Sequence, residues 1–265
     1  MRRLLQSVML CCFCASAISQ STSSDEELLA KTRALYDAPF THGLASFDCE
    51  VQFDWKKHFI DLLGTVPTSA GPLVERLQVV PHRVFIDRSG AVVSAKPKEP
   101  DLSGVAHAAE LEQSLNAIVM GGLNAWLPFS SDVIFPIKPT TFSFQKADPG
   151  YKVTMSGSGV ASTLLLAADM RVTSIVSQLP QPMRLKTEFG DGPHGYLLTS
   201  IQMGDPALST AGTDTTFAYT YQTVQGFQLP SLVTVTPRNS ETWHYALTAC
   251  KAISGITLNV AAPNH

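Results

Sequence analysis

The chain has 265 residues, with 19 Lys and Arg against 22 Asp and Glu and a formal net charge of −3. That balance offers no basic footprint for nucleic acid and no polybasic segment for anionic lipid surfaces. Charged residues are 15% and hydrophobic residues 45%, against about 25% charged in ordinary soluble domains, so one large domain or two small ones can bury a substantial core.

Residues 1–19 read as a secretory signal peptide. Met1-Arg2-Arg3 places charge at the start, residues 4–18 are apolar, and Ala17-Ile18-Ser19 sets small residues before Gln20. The expected product is a single exported domain, 20–265, acting in a periplasm or outside the cell. An uncleaved anchor and a lipid-modified Cys11, Cys12 or Cys14 are the alternatives. No later run reaches the roughly 18 apolar residues of a membrane span.

Asp25-Glu26-Glu27 opens a helix carrying Leu28, Leu29, Ala34 and Leu35 on one side, and Pro39 ends it. Residues 45–55 alternate strictly: Ala45, Phe47, Cys49, Val51, Phe53 and Trp55 face one way, and Ser46, Asp48, Glu50, Gln52 and Asp54 face the other. This is a strand with one face on a core and one in water. Short helices are expected at 56–63 and 73–77. A hairpin comes next at 82–86 and 91–95, turning through Asp87-Arg88-Ser89-Gly90. Lys96-Pro97-Lys98-Glu99-Pro100 is a linker and the candidate internal boundary of the domain, whose helix-rich part spans 25–127.

Residues 105–123 form the strongest helix, with Val105, Ala108, Leu111, Leu115, Ile118, Val119 and Gly122 on one stripe. Gly121-Gly122 weakens its end, and Pro128 stops the chain after Trp126. From 140 to 250 the pattern becomes a β-meander: 141–146, 151–155, 162–167, 171–177, 183–189, 196–203, 215–221, 227–236 and 242–249. Together these imply an α+β fold, a curved antiparallel sheet or partial barrel of about eight to eleven strands, covered by the N-terminal and central helices.

Outside the leader two cysteines remain, Cys49 and Cys250. In an oxidising compartment they suit one disulfide. Two buried free thiols are the other reading, because Cys49 is on the apolar face of its strand while Cys250 lies opposite the aromatic face of its own.

No zinc helix, phosphate-binding glycine loop or nucleophile elbow occurs, and no two of the seven histidines have metal-pair spacing. Ser158 in Gly157-Ser158-Gly159 lacks the elbow spacing. Asp169 reads as a hairpin-turn residue, and Glu188 and His244 as polar or half-exposed strand residues. No catalytic residue, metal or cofactor is expected on these grounds. The informative pattern is aromatic: Phe217, Tyr219 and Tyr221 share a face, as do Phe227, Leu229, Val233 and Val235, and then Trp243, Tyr245 and Leu247. Such a surface is either an ordinary core under helices or the wall of an apolar cavity.

The segment Phe217-Ala218-Tyr219 … Val224-Gln225-Gly226-Phe227-Gln228-Leu229-Pro230 resembles the C-terminal part of LolA-type periplasmic lipoprotein carriers. The order of leader, helix, strand and long meander is also similar. The resemblance implies an incomplete barrel covered by helices, enclosing a cavity for acyl chains. The expected function is therefore a non-catalytic exported protein that binds a lipid, lipoprotein or other acylated ligand, with Phe217, Tyr219, Tyr221, Phe227, Leu229 and Val233 lining the cavity. An envelope protein-interaction module with a filled core and a secreted hydrolase with a dispersed site are the alternatives.

Overall fold

The computed structural model describes residues 19–66, 68–78, 82–95, 108–135, 141–157, 160–177, 183–204, 214–238 and 241–255. Most of the expected leader, the linker at 96–100 and Ser158 lie outside these residues.

Alternating sequence produces strands that each need a neighbour, and here all of them find one in a single sheet. The strands are β1 (Leu44–Phe53), β2 (His82–Asp87), β3 (Gly90–Ala95), β4 (Thr141–Ala147), β5 (Gly150–Gly157), β6 (Val160–Leu166), β7 (Val172–Ser177), β8 (Met183–Gly192), β9 (Gly195–Gly204), β10 (Thr215–Val224), β11 (Phe227–Pro237) and β12 (Trp243–Ser254). Their spatial order is β3-β2-β1-β12-β11-β10-β9-β8-β7-β6-β5-β4. From β4 to β12 each strand pairs with the next, and β1 then pairs with β12 and carries the β2–β3 hairpin. The count is twelve, above the expected range. The sheet is curved and does not close, so the parts before and after the linker share one sheet.

Among the described residues four α-helices accompany it: α1 (Ser19–Arg33), α2 (Trp55–Leu63), α3 (Gly71–Gln78) and α4 (Ala108–Ser130). The α1 helix stops well before Pro39, so Ala34 and Leu35 lie beyond it. The cause is pairing with β9: Tyr196 N–H donates to Leu35 O at 2.7 Å, and Asp37 N–H donates to Tyr196 O at 3.0 Å. Trp55 is the first residue of α2 rather than the last of β1, because Asp54 Oδ1 accepts from Lys57 N–H at 2.9 Å and caps the helix there. The alternation of β1 also slips once. Ala45 is exposed and Leu44 takes the buried place, at a register shift against β12.

The core lies where α4 crosses the sheet. Leu115, Val119, Leu123, Trp126 and Phe129 are buried there together with Phe47, Leu229, Val233, Tyr245 and Leu247 from the strands. Contrary to expectation, α4 runs through Pro128 to Ser130. A proline inside a helix costs ~3 kcal/mol. Burial of Trp126 and Phe129 on either side stabilises by about 1.5–3 kcal/mol each, enough to keep the last turn helical. The glycine pair does not end the helix either. Gly122 is where its backbone meets the sheet: a Cβ there would overlap Tyr245 Oη and stand 3.2 Å from Val233 Cγ1. Gly121 faces open space.

Cys49 and Cys250 are joined, with S–S 2.01 Å. The face-parity objection is removed by a bulge. The β1–β12 register shifts between Asp48 and Glu50, opposite Ala249, whose φ is 46°. The extra residue turns Cys250 onto the face of Cys49.

Two substitutions one residue apart separate these ideas. Gly121→Ala is expected to stabilise by up to ~1 kcal/mol, the usual gain in an open helix position. Gly122→Ala is expected to destabilise by about 1–2 kcal/mol, because overpacking outweighs that gain. Urea unfolding of the two variants would show opposite signs. Replacing both Cys49 and Cys250 by Ala is expected to cost about 2–5 kcal/mol in the same measurement.

Candidate functional site

Two regions carry the chemistry available to this fold: the concave apolar face and a polar pocket at one end of the sheet. Of the six expected lining residues, Phe217, Tyr219, Leu229 and Val233 are buried, while Tyr221 and Phe227 are half-buried. The α4 helix covers part of this set. Tyr219 Oη donates to Gly122 O at 2.8 Å, and Tyr245 Oη donates to Val119 O at 3.2 Å. Trp126 Nε1–H donates to Tyr221 Oη at 3.2 Å, and Tyr221 Oη donates to Leu198 O at 2.5 Å. Burial raises the pKa of all three phenols above the ordinary range; Tyr219 and Tyr245 donate to α4 carbonyls, while Tyr221 accepts from α4 and donates to β9.

A second apolar surface lies further along the sheet. Cross-strand partners share a face, and Phe144, Val153, Leu164, Ile175, Leu185 and Met203 form one continuous rung from β4 to β9. Phe142 and Met155 form the adjacent rung. The centre of the first rung, Val153, Leu164 and Ile175, is buried. Phe142, Phe144, Met155, Leu185 and Met203 are only partly covered and pack against the core. At the β4 edge Asp25 of α1 accepts from Phe144 N–H at 3.4 Å. Each run was expected as a strand, but which rung is left half-covered depends on where the helices lie.

The polar pocket has a volume of about 460 Å³ and is lined by Asp37, His42, His194, Gln225, Gly226 and Phe227. Three connections meet there: the α1–β1 loop, the β8–β9 turn and the β10–β11 turn. The Leu35–Asp37 bridge to Tyr196 brings the first two together. Asp37 is buried, with its Oδ1 3.8 Å from His42 Nδ1. The two histidine rings meet edge to face at 6.5 Å between centroids. Removal from water raises the Asp37 carboxyl pKa above the ordinary carboxylate range; the neighbouring His194 and His42 and the His194 backbone N–H act in the opposite direction. Nothing in the spacing of these residues marked them, since Asp37 and His42 belong to the α1–β1 loop, His194 to the β8–β9 turn and Gln225 and Gly226 to the β10–β11 turn.

Other residues singled out in the sequence sit in ordinary turn or strand positions. Asp169 sits in the β6–β7 turn, where Oδ1 accepts from Arg171 N–H at 3.1 Å. Glu188 is exposed on β8. His244 Nδ1 lies 3.1 Å from Thr234 Oγ1 on the neighbouring strand. No family model, curated protein or solved structure matches the chain.

The carboxyl of Asp37 gives a pH dependence whose sign comes from its raised folded-state pKa. The stability it contributes is present below the unfolded carboxylate value of about 4 and is lost as pH rises through the higher folded value. Asp37→Asn cannot undergo that loss. The melting temperature of the variant relative to the parent is therefore expected to climb with pH from about 4 upward and then level off. Thermal melts across a pH series would check it; a flat difference would contradict the assigned burial cost.

Proposed function

We propose that this chain is an exported, non-catalytic protein that holds a lipid or other acylated ligand between its curved sheet and its helices. The observation that supports this reading is the half-covered apolar rung on β4–β9. Phe142, Phe144 and Met155 at the β4–β5 end and Leu185 and Met203 at the β8–β9 end are large and only partly buried, on either side of the buried centre of the rung. An acyl chain lying along them removes apolar surface from water at about 25 cal/mol per Å². Methionines suit such a wall, because their unbranched side chains adapt to ligands of varying shape. The ligand space is centred on the rung rather than on Tyr219 and Val233, which α4 already covers. The resemblance of residues 217–230 to lipoprotein carriers points in the same direction.

Native mass spectrometry tests the reading on residues 20–265, purified without detergent from an exporting host. An adduct of lipid mass, lost on organic extraction, is expected. A clean protein mass that takes up no offered lipid would overturn it. Replacing Leu185 and Met203 together by Gln is expected to weaken lipid retention about tenfold, equivalent to about 1.4 kcal/mol. The disulfide and the α4 seat lie elsewhere in the sheet, so the fold should survive that change.

A further inference from the structure

The pocket at the turn end of the sheet is not explained by an apolar ligand. It contains a carboxylate that lacks a full set of partners. The Asp37 side chain is only 2% exposed, and its Oδ2 is buried without a hydrogen-bond donor. The carboxyl accepts from the His194 backbone N–H, and its Oδ1 is 3.8 Å from His42 Nδ1, beyond hydrogen-bond distance, so the missing partner is at Oδ2. A buried carboxylate is destabilised unless a positive charge or donors satisfy it. Among the described residues no lysine or arginine lines the pocket. The nearby arginines are engaged elsewhere: Arg88 donates to Phe40 O and pairs with Asp132, and Arg171 pairs with Asp191 and lies over the Tyr196 ring.

We propose that this pocket binds a primary ammonium group, with Asp37 as its counter-charge. A primary ammonium brings one positive charge and three N–H donors. The Asp37 carboxylate accepts one of them, and an unprotonated ring nitrogen on His42 or His194 is the second acceptor the pocket offers. Phe227 lines the same pocket and is half-buried, so its ring is available to pack on the cation or on the carbon that carries it. The volume of about 460 Å³ lies within the range of small-molecule sites. Among the described residues no three His, Cys, Asp or Glu side chains converge as a metal ion needs, and the same holds for Asp37, His42 and His194. The ligand class is thus set by donor count and charge. It stands independently of the apolar rung.

The test is a titration of the intact protein, monitored through the backbone amide NMR signals of His42, His194 and Gly226. Ethanolamine is the probe, and choline, which has no N–H donor on its nitrogen, is the comparison. Saturable shifts with ethanolamine are expected, with choline at least tenfold weaker. Asp37→Asn is expected to lower ethanolamine affinity at least tenfold while melting as a folded protein. Vesicles containing phosphatidylethanolamine identify the source of the group. Competition by these vesicles assigns a lipid headgroup, and its absence assigns a free amine. No saturable shift with ethanolamine in the parent protein would overturn the proposal. So would equal binding of choline, or unchanged binding in a folded Asp37→Asn variant. The parent titration stands even if the variant does not fold.

Discussion

The close seat of α4 on the sheet is the contact on which the rest of the structure depends. A curved antiparallel sheet has an apolar face that must be covered, and α4 supplies the largest group of buried helix residues there, with Leu29 of α1, Trp55 of α2 and Val74 and Leu77 of α3 in the same core. Gly122 brings its backbone against Tyr245 and Val233. Tyr219 and Tyr245 then reach helix carbonyls with their hydroxyls. Apolar burial supplies most of the stabilisation, and the hydroxyls define where along the sheet the helix rests. In a dry interior an unsatisfied phenol is costly, so a helix displaced along the face would lose these donors' partners as well as its packing.

That seat has consequences for both ends of the sheet. An open sheet leaves two edges that could pair with other chains. At one edge Asn124 of α4 accepts from Ala91 N–H of β3 at 2.9 Å. At the other, Asp25 of α1 accepts from Phe144 N–H of β4. Helices thus serve both edges, while the face between them is covered unevenly. It is dense over β11 and β12 under α4, and partial over the rung from Phe144 to Met203. The polar pocket lies at the turn end, where loops rather than regular elements decide which side chains meet.

Much of the architecture was readable from local pattern. All nine runs after residue 140 are strands, and β8 keeps a clear alternation of covered and exposed residues, while β9 and β11 bury consecutive residues. The hairpin at β2 and β3 is specified by its turn residues. Departures arose where distant contacts override local preference. Pro128 remains helical because Trp126 and Phe129 are buried around it. Ala34 and Leu35 leave the helix because β9 pairs with residues 35–37. Cys250 changes face because a bulge at Ala249 adds one residue to its strand.

By itself, the sequence determined that this is a curved antiparallel sheet with helices, and that aromatic residues of β10 and β11 belong to its interior. Period-two and helical patterns are local, and they specify which face each residue takes. Only the tertiary structure decided that α4 covers Tyr219 and Val233, that the rung on β4–β9 is left half-covered, and that Asp37, His42 and His194 share one pocket. Which element covers a face, and which turns meet at an end, depends on packing between segments far apart in the chain, and periodicity carries no record of that.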